Sequence, residues 1–241
     1  MSIVYEDNEA DYYVYYSCFQ IEEKDHATPF VIGARDQLTV YDSSGFDYRG
    51  TITGGNLSVA SDAARYNAST QFPGTVYINA VSPTTEVRTI AFWAKWDAIS
   101  SSNSVVYLDY KSKTGFGLAS NGLLCSSTNL STRTFSKASL VANTWYHFVV
   151  VCPNGGSDAA RKLYINGVEQ TATSSTNYWT SPGDRLNVGK RSSTANDGFK
   201  GKLSDFRMYT TALSAADILE LYHTSAEIAK DGTYFTRELI E

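Results

Sequence analysis

Methionine, proline and cysteine are scarce in this chain of 241 residues, at 2, 5 and 3 copies. Few methionines beside many aromatics speak against a helical bundle and for pleated sheet. No proline-rich stretch or internal repeat interrupts the chain, so nothing in it reads as a linker between domains. Cys18, Cys125 and Cys152 are odd in number and far apart, a poor disulfide framework and a poor metal site. They are expected as free thiols buried like small apolar side chains. Basic runs are missing too. The 20 Lys and Arg against 25 Asp and Glu give a net charge of −5, which argues against nucleic acid as a partner. No stretch approaches the roughly 18 consecutive apolar residues of a membrane-spanning helix, so membrane insertion is not expected. The opening, Met1-Ser-Ile-Val-Tyr-Glu-Asp-Asn-Glu9, has neither a basic start nor an apolar stretch. A protein made in a cytoplasm, without a secretory signal, is the expectation.

What the chain does have is aromatic residues, 13% in all with 17 Tyr, set in short apolar runs between Ser, Thr, Asn and Gly. The Tyr12–Phe19 run has strand propensity and charged flanks that guard an exposed edge. It reads as a first strand, or as an arm that pairs with a neighbouring subunit. Strands are expected at 63–66, 76–78, 89–96, 104–109, 115–118, 123–125 and 144–152. In Thr89–Trp96, Ile90, Phe92, Ala94 and Trp96 share one face, opposite Thr89, Ala91, Trp93 and Lys95. The end of 144–152 is apolar on both faces and should lie centrally in a sheet. Asn166-Gly167 between two apolar runs is the signature of a two-residue hairpin with a type I′ turn. One helix starts after Ser214 as N-cap, with Asp217 three residues on, Leu213 and Ile218 as staple, and Ile218, Leu221 and Tyr222 as its buried stripe. One short helix among a dozen or so strands predicts an all-β, two-sheet antiparallel sandwich. The predicted division is an arm over 1–30, one domain over 31–223 and a C-terminal extension with a strand over 224–241.

Three ordered motifs carry a resemblance. They are Trp145-Tyr-His-Phe-Val-Val-Val151, Lys162-Leu-Tyr-Ile-Asn-Gly167, and the run Gly201–Ser214 with its Asp205-Phe-Arg-Met-Tyr209. With the Asp42-Ser-Ser-Gly45 turn, they resemble the laminin-G-like, concanavalin A-like jelly-roll family over about 180 residues. The tail from Tyr222 to Glu241 is similar to endings of such domains in bacteriophage structural proteins, although Ala229-Lys230 before Asp231 departs from that pattern. The resemblance implies a binding fold rather than a catalytic one. It implies a non-enzymatic virion protein, a head decoration or a tail appendage, that docks on other virion proteins and adheres to cell-surface glycans, while the exposed strand edge of the Tyr-rich arm points to a homo-oligomer. The alternative is a calcium-dependent carbohydrate-binding module outside a virion. Calcium is the ion common in that family, and Asp42 and Asp205 are the carboxylates placed to hold it.

Chemistry in the residues themselves is sparse. Glucanases on this fold need paired carboxylates about 5–5.5 Å apart. No Glu-x-Asp-x-Glu triplet occurs, and the acidic run Glu6–Asp11 reads as a solvated terminus. His26, His147 and His223 are far apart, and no Gly-x-Ser-x-Gly elbow is present. His147 is expected as a half-buried, hydrogen-bonded imidazole. Sugar recognition calls for aromatic planes beside polar side chains. Tyr178-Trp179 followed by Asp184-Arg185 is the best such segment, with Trp93 as a second platform.

Overall fold

Alternation shapes the centre of the molecule. In β7 (Thr89–Trp96), Ile90, Phe92, Ala94 and Trp96 enter the main core, while Ala91 turns to a second cluster on the sheet's other side. Beside it β12 (Tyr146–Val151) runs antiparallel, with Phe148 opposite Phe92 and Val150 opposite Ile90. These strands belong to a computed structural model that describes residues 19–21, 39–41, 49–60, 69–81, 87–99, 103–108, 114–119, 122–127, 132–152, 161–176, 185–190 and 198–231. The strand expected at 63–66, the arm over Tyr12–Cys18 and the C-terminal strand lie outside those residues.

The first sheet runs β14 (Val168–Glu169), β13 (Lys162–Ile165), β12, β7, β17 (Lys200–Tyr209), β5 (Ser69–Pro73) and β4 (Ser58–Ala60). The second runs β15 (Ala172–Thr176), β11 (Thr132–Phe135), β10 (Gly122–Ser127), β9 (Thr114–Ala119), β8 (Asn103–Leu108), β16 (Arg185–Val188), β6 (Tyr77–Val81), β3 (Arg49–Thr53) and β2 (Thr39–Tyr41). Neighbours within both sheets are antiparallel. The exception among the described residues is β1 (Phe19–Ile21), which lies parallel to β17 over Phe206–Met208. The chain is thus a two-sheet antiparallel jelly-roll sandwich, and β12 lies centrally as expected.

Aromatic side chains from both sheets fill the space between. The Phe92 ring meets Phe116 edge-on at 5.4 Å and stacks with Phe148 at 5.8 Å, and Trp96 meets Phe148 and Phe199 edge-on. Such tilted contacts suit the ring quadrupole. Cys125 and Cys152 are buried free thiols within this core, as expected.

The helix α1 (Ala215–Asp231) lies on the outer side of the first sheet. Its start is a capping box: the Asp217 N–H donates to Ser214 Oγ at 3.2 Å, and the Ser214 N–H donates to Asp217 Oδ2 at 3.0 Å. Ile218 is fully buried against Ala91, Val149, Val151 and Tyr164. Thr89 ties the preceding loop to β7, its hydroxyl donating to Thr211 O at 2.8 Å and accepting from the Leu213 N–H at 3.1 Å. Asn166 (φ 50°) and Gly167 (φ 79°) make the expected hairpin turn. A Cβ on Gly167 would stand 2.8 Å from Leu219 Cδ1, the far end of an exposed side chain that can turn aside, so it is the positive φ that calls for glycine in this turn. No helix among the described residues is long and apolar enough to cross a membrane.

Candidate functional site

Side-chain hydrogen-bonding chemistry gathers on the outer face of the second sheet, where β16 lies between β6 and β8. Asn187 stands opposite Asn79 on one side and Tyr107 on the other, and Thr51 of β3 continues the row. Ile78 and Val188 alternate into the core, which sets Asn79 and Asn187 on the outer face. Asn79 Nδ2 donates to Asn187 Oδ1 at 2.6 Å. Asn187 is only 7% exposed and engages other groups as well, so the hydrogen-bonding surface the pair offers a hydroxyl comes mainly from the half-buried Asn79 amide. Mutual bonding also fixes the two side chains before any ligand arrives.

Of the residues predicted to bind sugar, Arg185 and Trp93 are among those described. Arg185 opens β16 opposite Val81, two positions before Asn187. Tyr178, Trp179 and Asp184 lie outside the described residues. Asn79 and Asn187 escaped the sequence reading because 108 residues separate them and only the sheet joins them. The one local signal was a polar residue set between Leu186 and Val188.

The second platform, Trp93, is placed differently from its expected role. It is 6% exposed, stacked on Tyr222 of α1 at 5.8 Å and set 5.2 Å from the His147 ring. Its strand face looked half-polar beside Thr89 and Lys95, but α1 covers that face. The same cover leaves His147 1% exposed rather than half-buried.

Asp205 sits at a bulge where β17 sets two residues, Asp205 and Phe206, against Phe92 alone. Its Oδ1 accepts from Arg207 Nε at 2.8 Å, and both side chains are largely buried. That guanidinium already supplies the counter-charge a cation would bring, so Asp205 does not fit a calcium ligand. Asp42 lies outside the described residues. Among the described residues no group of three or more His, Cys, Asp or Glu comes together to hold a metal ion.

A family model described as the concanavalin A-like lectin/glucanases superfamily matches residues 73–219. The chain belongs to that superfamily. No curated protein matches it in sequence. Among solved structures, this concanavalin A-like chain is similar to domain 4 of AbnA, an extracellular arabinanase from Geobacillus stearothermophilus, in complex with arabinotriose. Identity is 20% and the TM-score 0.55, over 72% of this chain and 87% of that one. It is also similar to the receptor-binding domain of botulinum neurotoxin mosaic serotype C/D, at 14% identity and TM-score 0.56, over 76% of this chain and 47% of that one. A third is a botulinum neurotoxin type C structure whose cell entry depends on two ganglioside molecules, at 16% identity and TM-score 0.54, over 78% and 49%. The concanavalin A-like chain spans about half the length of both toxin chains. At these identities the likeness is one of fold.

Proposed function

We propose that this chain is a non-enzymatic, lectin-like module that binds glycans on the outer face of its second sheet. The observation that carries this reading is the Asn79–Asn187 amide row on the strand opened by Arg185, directly after Tyr178, Trp179 and Asp184. Amides and an acid–base pair match sugar hydroxyls, and aromatic planes match sugar C–H faces. Solved relatives of the same fold include an arabinanase domain holding arabinotriose and a toxin dependent on gangliosides, which favours saccharide as the ligand class. The absence of a Glu-x-Asp-x-Glu triplet from the sequence supports binding without hydrolysis.

The module serves, in this reading, as a bacteriophage virion structural protein on the head or a tail appendage, docked to other virion proteins through its terminal segments. The support is the likeness of its C-terminal tail to endings of phage proteins. A glycan array with the intact chain checks the first part. Saturable binding is expected, weakened about tenfold or more by Trp179→Ala, since a stacked aromatic and its desolvated contacts are worth over ~1.4 kcal/mol. An array with no bound glycan rejects the reading. Chelation with EDTA is expected to leave binding unchanged, and its loss would favour the calcium-dependent module. Mass spectrometry of purified particles tests the virion role, and absence of the protein there refutes it.

A further inference from the structure

One place in the first sheet is filled by a strand from the far end of the sequence. β17 has β7 along one side from Gly201 to Tyr209, but on its other side β5 accompanies it only from Lys200 to Leu203. Beyond that point the neighbour is β1, with Phe19, Gln20 and Ile21 set beside Phe206, Arg207 and Met208. This slot is not at the rim of the fold. Phe206 and Met208 are 1% and 2% exposed and belong to the main core. Backbone N–H and C=O groups of a strand that covers a core need partners, so the slot calls for an occupant.

Nothing in the connectivity ties that occupant to its own copy of the chain. β1 is parallel to β17, where every other neighbouring pair among the described strands is antiparallel and many are joined by short turns. Residues 22–38 join it to β2, at the far edge of the second sheet. A chain of that length reaches up to about 55–60 Å, against a radius of gyration of about 18 Å for a compact chain of this size. The tether is therefore long enough to serve a neighbouring molecule. Ladder bonds are the same whichever copy supplies the strand, so exchange between copies requires no new interaction. Register adds a second reason. Continued upstream, β1 would run beside Asp205, Ser204 and Leu203, but Thr70 of β5 already pairs with Leu203. The Tyr12–Cys18 run, outside the described residues, has four Tyr and one Val and thus high strand propensity. It has no place beside β17. Two exchanging arms would meet between the copies, where such a run gains a partner of its own kind.

We propose that β1 is exchanged between two copies of this chain. Phe19–Ile21 of one copy docks beside Phe206–Met208 of the second, and the reverse, which gives an isologous dimer closed by a two-fold axis. The slot on β17 is the interaction surface, and backbone pairing supplies its affinity in the manner of strand addition to a sheet. The partner is a second copy because the chain itself carries the strand whose register fits. This inference concerns assembly and does not depend on what the module binds.

The test is made on the intact chain, with p-benzoylphenylalanine in place of Phe19. Light scattering after size exclusion is expected to give about twice the 26.5 kDa of one chain. Irradiation should then produce a covalent band of two chains on a denaturing gel, with cross-linked peptides that join position 19 of one copy to β17 of the other. The double variant Gln20→Pro, Ile21→Pro should run as a single chain at concentrations where the parent is a dimer. Proline removes two consecutive N–H groups, and successive N–H groups point to opposite sides of a strand, so one of them faces β17. A parent that is monomeric, or photo-adducts to β17 confined to single chains, overturns the proposal. A dimer whose adducts stay within each chain also overturns it, because the copies then meet elsewhere. If the proline variant fails to fold, the photo-adducts still decide. No glycan enters either readout, so the outcome leaves the reading of the second sheet untouched.

Discussion

Asp205 combines two roles that are usually separate. At φ 50° it holds a left-handed conformation that only Gly, Asn and Asp take readily. Its carboxylate also faces Arg207 in a place where the two side chains are 3% and 13% exposed. Removing one partner of a buried pair leaves a charge without compensation, at a cost of about 3–5 kcal/mol. Asp205→Ala should approach that loss, because alanine forfeits the pair and keeps the backbone penalty. Asp205→Gly should recover about 1 kcal/mol of it through the relaxed backbone. Asp205→Asn, which tolerates the conformation and still accepts a hydrogen bond, should be the mildest of the three. Urea unfolding of the series gives the order, and an alanine variant as stable as the parent would show that the pair contributes nothing to folding.

At the scale of elements, α1 depends on its first turn and on one buried side chain. Losing the Ser214 hydroxyl should cost about 1 kcal/mol, the usual worth of an N-cap. Ile218→Ala should cost about 2–4 kcal/mol, because nothing else fills the space against Tyr164 and Val149. Both variants should redden Trp93 emission if the helix lifts, since Tyr222 screens that indole. The Ser214 hydroxyl and N–H hold the Asp217 carboxyl below its ordinary value. That contribution is therefore present above about pH 4 and lost as pH falls through the lowered value, which Ser214→Ala should partly erase. The sequence revealed this helix, its cap, the hairpin at Asn166-Gly167, and strands β7 and β12, where apolar residues alternate at full strength. Strands such as β11, β15 and β5, rich in Ser and Thr, gave no such pattern, because Ser69, Thr70 and Thr134 take buried positions and too few apolar residues remain to mark a face. Burial of Trp93 was hidden for a related reason. Tyr222, which covers it, follows 129 residues later, and no local period encodes that contact.

Across the whole molecule, the sandwich is joined by one core that both sheets share, and the two described thiols report on it from opposite sides. Cys125 lies on β10 of the second sheet with no exposed surface, and Cys152 follows β12 of the first at 5% exposure. Arg161 Nε donates to Cys152 Sγ at 3.4 Å, and the Arg133 guanidinium bonds Arg161 O, so the two sheets meet through this cluster. Burial pushes the Cys125 thiol far above its ordinary value, with Cys152 adding to the effect and Arg161 and Arg133 opposing it. A thiol raised in the folded state favours folding fully below the free-thiol value of about 8.5 and progressively less as pH climbs above it. Cys125→Ala should flatten that alkaline loss of stability. Cys125 and Cys152 are both buried, so a folded Cys18→Ser variant should not be labelled at neutral pH. Both remaining cysteines should then become reactive in a single step that coincides with unfolding in urea, because neither can be reached until the sheets part. Labelling of one cysteine well before the other, resolved by mass spectrometry, would mean that the layers separate independently and that the shared core does not bind them into one cooperative unit.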